Sequence, residues 1–223
     1  MTTDTIFQDS HLPLTKWFLA NYMICSSKKD ISARQLQRNL ATTYKTASYM
    51  AHHIRPAMQD DTDFSGKFAG VCEVDETYIG GKQSGPRGRR AASKIRVVGM
   101  KERTSGKVPM QAVINVRATI LQDFIRQHSE AGSEIHTDKF CSYLWPDSSE
   151  FAHNSANHSE KYVDGTVHVN GVENVGSLFK RGIMGVFRKV SGKYLPLSPN
   201  EVEFRYNNRD AYNMVDRVLG TSF

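Results

Sequence analysis

Along VCEVDETYI (Val71–Ile79) residues alternate so that Val71, Glu73, Asp75 and Thr77 share one face of a strand, and Cys72, Val74, Glu76 and Tyr78 the other. Asp75 falls in a segment that otherwise reads as buried, where an unpaired carboxylate is costly and a bound cation would remove the cost. Asp138 gives the same cue, directly after the short strand EIHT at 134–137 and just before Phe140 and Tyr143. Capping of a turn or helix is the other reading of either aspartate. Glu173 stands in HVNGVENVGSLFKRG, and Lys180 follows it by seven residues, two helical turns on and so on nearly the same face. Asn170 and Ser177 lie near that line. Such a face offers a carboxylate to a metal and an ammonium to a phosphate, or it is a solvated polar stripe with Val172, Leu178 and Phe179 packed behind it.

Three separated acids present hard oxygen donors of the kind that Mg²⁺ or Mn²⁺ accepts, with phosphate oxygens and water completing the shell. In a two-metal arrangement one ion lowers the pKa of water or of a DNA 3′ hydroxyl, and the other stabilises the leaving oxygen of an in-line displacement. Lys180, a flexible point charge, would hold a nontransferred phosphate oxygen. His136 and His168 stand near these acids but lack the spacing of a zinc pair, and Tyr78 reads as a packed aromatic of the strand.

The elements that must position these residues are legible in outline. Residues 1–60 read as helical: an apolar stretch at 14–23, a helix opened by Ser32 and Gln35 at capping-box spacing, and a helix over 43–58 that buries Ala47, Met50, Ala51 and Ile54. A tight turn at 39–43 gives the last two a helix-turn-helix aspect, with Tyr44, Lys45, Ser48 and Tyr49 available to DNA, although helical hairpins are common in proteins that never touch it. The polar stretch at 59–68 is the expected boundary, so that 61–223 forms a second domain. There, Val71–Ile79, 95–100 and 108–116 read as a meander, 119–128 as a helix with Ile120, Phe124 and Ile125 inward, and 134–137 as a strand. A loose His- and Asn-rich connection over 146–166, a helix over 170–181 and a final helix over 201–219 complete the expectation.

Charge points to the partner. The 223 residues carry a formal net charge of +6, and the excess is concentrated. Residues 82–107 hold nine basic residues against the one acid Glu102, and 180–193 hold five and no acid. Segregated positive charge stabilises a nearby phosphate backbone through ion pairing and counterion release. Cys25, Cys72 and Cys141 are scattered, which supports neither a disulfide framework nor a structural zinc site and fits a reducing interior. No signal-peptide pattern and no run of membrane-spanning length is present, so a cytoplasmic protein without a membrane role is expected.

The stretches VDETYIGGK (74–82), IHTDKFCSY (135–143) and HVNGVENVGSLFKRGIMGVFRKVSGKYL (168–195), followed by NEVEFRYNNR (200–209), resemble the DDE-type transposases of bacterial insertion sequences, specifically the ISXO-like transposase domain group. KWFLANYM and ISARQLQRNLATTYKTASYMAHHIRPAM resemble the helical segment that precedes the group's catalytic domain. The resemblance implies an α/β fold, a ribonuclease-H-like mixed sheet flanked by helices, with cleavage of transposon ends and strand transfer into target DNA. It matches Asp75, Asp138 and Glu173 to the three acidic positions and Lys180 to the associated lysine, with Asn170 the alternative third metal-facing residue. The separations of 63 and 35 residues suit the order of strand, later strand and helix. It further implies double-stranded DNA as partner, a homo-oligomer that pairs two ends, and work at the bacterial nucleoid; the helical and basic segments offer Tyr44, Lys45, Lys82, Arg87, Arg89, Arg90, Lys94, Lys180 and Arg181 as the residues to contact that DNA.

Two departures stand out. Relatives commonly begin with a zinc ribbon of paired CxxC motifs, which this sequence lacks, so a shortened copy is expected. They usually have Trp where this chain has Gly176, and a basic helix where it has LPLSP at 195–199. Loss of the aromatic is expected to loosen the helix bearing Glu173, and the alternative function is an inactive transposase remnant that only binds DNA.

Overall fold

The computed structural model describes residues 5–58, 66–80, 94–138, 150–156, 167–187, 197–211 and 213–220. In chain order the elements are α1 (Leu14–Ser26), α2 (Ala33–Asn39), α3 (Tyr44–Ala57), β1 (Val71–Ile79), β2 (Ile95–Glu102), β3 (Met110–Val113), α4 (Ala118–His128), β4 (Glu134–Asp138), β5 (Ala152–Ala156), α5 (Asn170–Gly182), a π-helical turn (Ile183–Phe187), α6 (Leu197–Asn207) and α7 (Met214–Gly220). They form two compact units, Met1–Phe64 with Arg181–Phe223, and Ser65–Lys180. No helix among the described residues is long and apolar enough to cross a membrane.

In the first unit the helix starts follow from capping chemistry. Ser32 accepts from the Gln35 backbone N–H at 3.2 Å and Thr43 from that of Thr46 at 3.1 Å, each satisfying a donor that the first turn leaves open. Between α2 and α3 the chain turns through Ala41, at φ 47°. Ala47, Met50, Ala51 and Ile54 of α3 are all buried, as the apolar stripe requires, and they join Trp17, Ile24, Leu36 and Leu40 in one core. The same core takes in Phe204 and Val218 from the carboxy-terminal segment. The tail, grouped by its sequence with the second domain, thus lies with the amino-terminal helices, which its apolar face needs for burial. It is also two helices rather than the single one expected over 201–219. Backbone N–H and side-chain Nδ2 of Asn208 both donate to the Phe204 carbonyl, at 3.0 and 2.9 Å, and close α6. Pro199 falls in the first turn of α6, where a missing N–H costs no helical bond.

The second unit is built on a five-stranded sheet in the order β3-β2-β1-β4-β5. β1, β2 and β3 run antiparallel, whereas β4 and β5 lie parallel to β1. The third strand stops at Val113, short of the expected 116, and Ile114 is exposed. β5 falls in the stretch expected to be a loose connection: AHNSA has neither alternation nor strand-forming residues, and its extended form follows from pairing with β4, from Glu134↔Ala152 to Asp138↔Ala156. On α4 the buried positions are Leu121, Phe124 and Ile125, with Ile120 only partly covered.

Candidate active site

Helix α5 lies along the odd-numbered face of β1, and two side chains of that face, Glu73 and Thr77, record the contact. Glu73, buried, accepts from the backbone N–H groups of Gly171 at 2.7 Å and Val172 at 3.1 Å. Thr77, two alternations further, lies so close to Gly176 that a Cβ on the glycine would come within 2.3 Å of its Oγ1. Asp75 stands between them. Its partner across β2 is Gly99, where a Cβ would meet the Val172 side chain at 3.4 Å, so the strand leaves space there for α5.

Asp138 is brought in by the parallel pairing. The ladder runs Glu73↔His136 and Val74↔Thr137, and one residue further along the two strands come Asp75 and Asp138. Glu173 sits in the first turn of α5, exposed. Electrostatics join the three acids. Burial in first place, then the negative charges of Glu76, Asp138 and Glu173, push the Asp75 carboxyl up to about 7 against a backbone hydrogen bond from Glu76 that acts the other way. Like charges held near one another in a poorly solvated place are the condition a divalent cation relieves, and carboxylate oxygens are its preferred donors, so the residues fit Mg²⁺ or Mn²⁺. Among the described residues, however, no three His, Cys, Asp or Glu side chains already form a group that could hold a metal ion.

The remaining expected residues are distributed as follows. Asn170 is the first residue of α5 and exposed; Lys180 is exposed two turns beyond Glu173, and Arg181 follows it, also exposed. Lys94 is half-buried just before β2. Lys82, Arg87, Arg89 and Arg90 lie outside the described residues. Tyr44 and Lys45 are exposed on the first turn of α3, in the other unit, and the Arg34 guanidinium lies 4.5 Å from the Tyr44 ring centre.

Several residues without an assigned role in the sequence reading hold the site together. Arg103 donates from Nε to Glu73 Oε1 at 2.8 Å, lies 3.2 Å from His136 Nδ1 and donates to the His168 carbonyl at 3.0 Å. His136 Nε2 lies 2.6 Å from Glu134, which also accepts from Asn154 at 2.7 Å. His168 Nδ1 lies 3.2 Å from Glu73 Oε1. Both histidines are therefore members of a polar network beneath α5. The signal available was Glu73, a second charge on the same strand face as Asp75.

A mixed sheet in which three antiparallel strands are followed by two parallel to the first, with a helix laid over the first strand, is a ribonuclease-H-like fold. The chain belongs to the ISXO2-like transposase domain family, matched over residues 67–207. It is 28% identical over 199 residues to an uncharacterized protein in transposable element ISH50 of Halobacterium salinarum, covering 80% of this chain and 65% of that protein. It thus spans just under two thirds of that relative's length. An uncharacterized transposase-like protein of Haemophilus influenzae is 31% identical over 109 residues, 49% of this chain and 88% of its own. Among solved structures, the HTLV-2 integrase catalytic core domain in complex with magnesium aligns at a TM-score of 0.36 with 13% identity, over 62% of this chain and 84% of that one. The fold assignment rests on strand order and direction.

Proposed function

We propose that the chain is a DNA transposase that cleaves insertion-sequence ends and joins them to target DNA, with Asp75, Asp138 and Glu173 as the metal-holding acids. The observation that supports the reading best is the parallel register of β1 and β4, in which Asp75 and Asp138 each follow the pair Val74↔Thr137 by one residue, with Glu173 in the first turn of the helix fastened to the same strand. Membership of a transposase domain family agrees with it. Bound Mg²⁺ or Mn²⁺ would supply charge neutralisation for phosphoryl transfer. The chain's own part is to hold the three carboxylates on two adjacent strands and a helix, and to present Lys180, on the same face of α5, to a phosphate oxygen. Tyr44, Lys45 and Lys94, with Lys82, Arg87, Arg89, Arg90 and Arg181, would contact double-stranded DNA, mostly its backbone. Pairing of two ends calls for a homo-oligomer, and the setting is the cytoplasm, at the nucleoid.

The test is Mg²⁺- or Mn²⁺-dependent cleavage and joining of DNA carrying the element's ends, compared between the wild-type chain and Asp75→Asn. Metal-dependent products lost in the variant support the reading. Salt-sensitive DNA binding without products by a folded chain supports the second reading, a DNA-binding copy without activity.

A further inference from the structure

Helix α5 is preceded by Val169 rather than by a Ser, Thr, Asp or Asn. Its first intrahelical bond runs from Glu173 N–H to the carbonyl of Val169, an apolar residue that cannot accept from the N–H groups of the first turn. Those of Gly171 and Val172 are taken instead by one oxygen, Oε2 of Glu73, which reaches them from β1. The other oxygen, Oε1, is held by Arg103 Nε at 2.8 Å, with His168 Nδ1 3.2 Å away. Gly171 is required for this contact, since a Cβ there would fall 2.6 Å from Glu73 Oε2 and 3.0 Å from Lys101 Cδ. The carboxylate that anchors the helix is thus two residues from Asp75 on one strand, and the donors it receives are one and two residues from Glu173 on one helix.

We propose that Glu73 is a positioning residue: by fastening the first turn of α5 to β1, it fixes Glu173 relative to Asp75 and so sets the affinity of the acid cluster for a divalent cation. The inference rests on the metal-holding role of those acids given above. Glutamine at position 73 has a single acceptor oxygen, which cannot serve the helix N–H groups and Arg103 together, and its amide group would face one of these donors. Alanine at 171 attacks the same contact from the helix side by forcing a methyl group against the carboxylate.

The experiment is a calorimetric titration with Mn²⁺, alongside thermal unfolding of the metal-free protein, on the full chain as wild type, Glu73→Gln, Gly171→Ala and Asp75→Asn. Val98→Ala, a buried position on β2, serves as a control for general loss of stability. The expected result is a fall of roughly 10-fold or more in Mn²⁺ affinity for Glu73→Gln and Gly171→Ala, as for outer residues that orient metal ligands. Val98→Ala should bind as wild type despite its lower unfolding midpoint. Wild-type affinity in Glu73→Gln, or an equal loss in Val98→Ala, overturns the proposal; should Glu73→Gln fail to fold, Gly171→Ala decides it by the same criterion. If wild type binds no more Mn²⁺ than Asp75→Asn, the metal-holding reading itself fails, before any comparison at position 73, and the positioning role falls with it.

Discussion

Gly176 of α5 and Thr77 of β1 approach so closely that a Cβ on the glycine would lie 2.3 Å from the threonine Oγ1. The helix bearing Glu173 therefore lies against the strand bearing Asp75 so closely that a side chain at position 176 must displace Thr77 Oγ1. A large aromatic at this position, expected to steady the helix, has no room; its absence is what lets α5 settle.

Gly176→Ala should lower the unfolding midpoint. Forcing a methyl group into the contact costs about 1–3 kcal/mol, against a gain of about 1 kcal/mol in helix propensity. The net expectation is a loss of up to about 2 kcal/mol. Thr77→Ala removes the opposing Oγ1, so in a denaturation cycle the double variant should lose less than the two single changes added together.

Asp75 has its carboxyl raised from an ordinary 3.8 to about 7, so the folded chain keeps a proton there that the unfolded chain has released. Stability from this group is fully present below about pH 4 and is lost as pH rises through about 7. Asp75→Asn should accordingly raise the metal-free unfolding midpoint at pH 8, by an amount that shrinks toward pH 4, while abolishing metal-dependent cleavage. Because a cation must displace that proton, wild-type Mn²⁺ affinity should weaken as pH falls below about 7, which calorimetry in buffers of different ionisation heat would detect as proton release.

In the other unit, Arg55 donates to Glu201 at 2.8 Å and to Asp30 at 3.2 Å, all three well buried. Burial, then the charge of Glu201, pushes Asp30 up to about 7; Glu201 is held low by Arg55 and Arg205 despite its burial. Asp30→Asn mimics the protonated form, and asparagine tolerates the backbone there, at φ 85°. It should raise the midpoint at pH 8, with the gain fading as the pH falls toward 4. Arg55→Met, by contrast, leaves the carboxylates without their central cation and should cost about 3–5 kcal/mol at pH 8, read by denaturant unfolding.

Tyr44 and Lys45 stand exposed where α3 begins, beside exposed Arg34. Lys45→Ala should weaken binding to every duplex sequence to a similar degree and reduce the slope of log affinity against log salt by about 1. Tyr44→Ala should weaken binding with little change in that slope. Fluorescence anisotropy across a salt series checks both, and an unchanged slope for Lys45→Ala removes that residue from the interface.

The helix at 44–57 was legible because it buries one face, which imposes a period of 3.6, and the strand at 71–79, largely buried on both faces, because its apolar and polar residue types are those of an extended segment bounded by glycines. β5 was not legible, since AHNSA has no pattern of its own and is extended only because β4 offers a parallel edge. The single tail helix expected over 201–219 failed at Asn208, whose side chain competes for a helix carbonyl in a way that periodicity does not register.

By itself the sequence determined the residue types capable of the chemistry, their order along the chain and the strand face that Asp75 shares with Glu73 and Thr77. Those follow from covalent order and from local geometry that repeats every two or 3.6 residues. Only the tertiary structure decided that β4 lies parallel beside β1 to bring Asp138 toward Asp75, that Glu73 anchors the first turn of α5, and that Gly176 is the point of closest approach. Each of these relations joins residues tens of positions apart. Such pairings are fixed by which faces bury together and which buried polar groups find partners, and those are properties of the assembled chain.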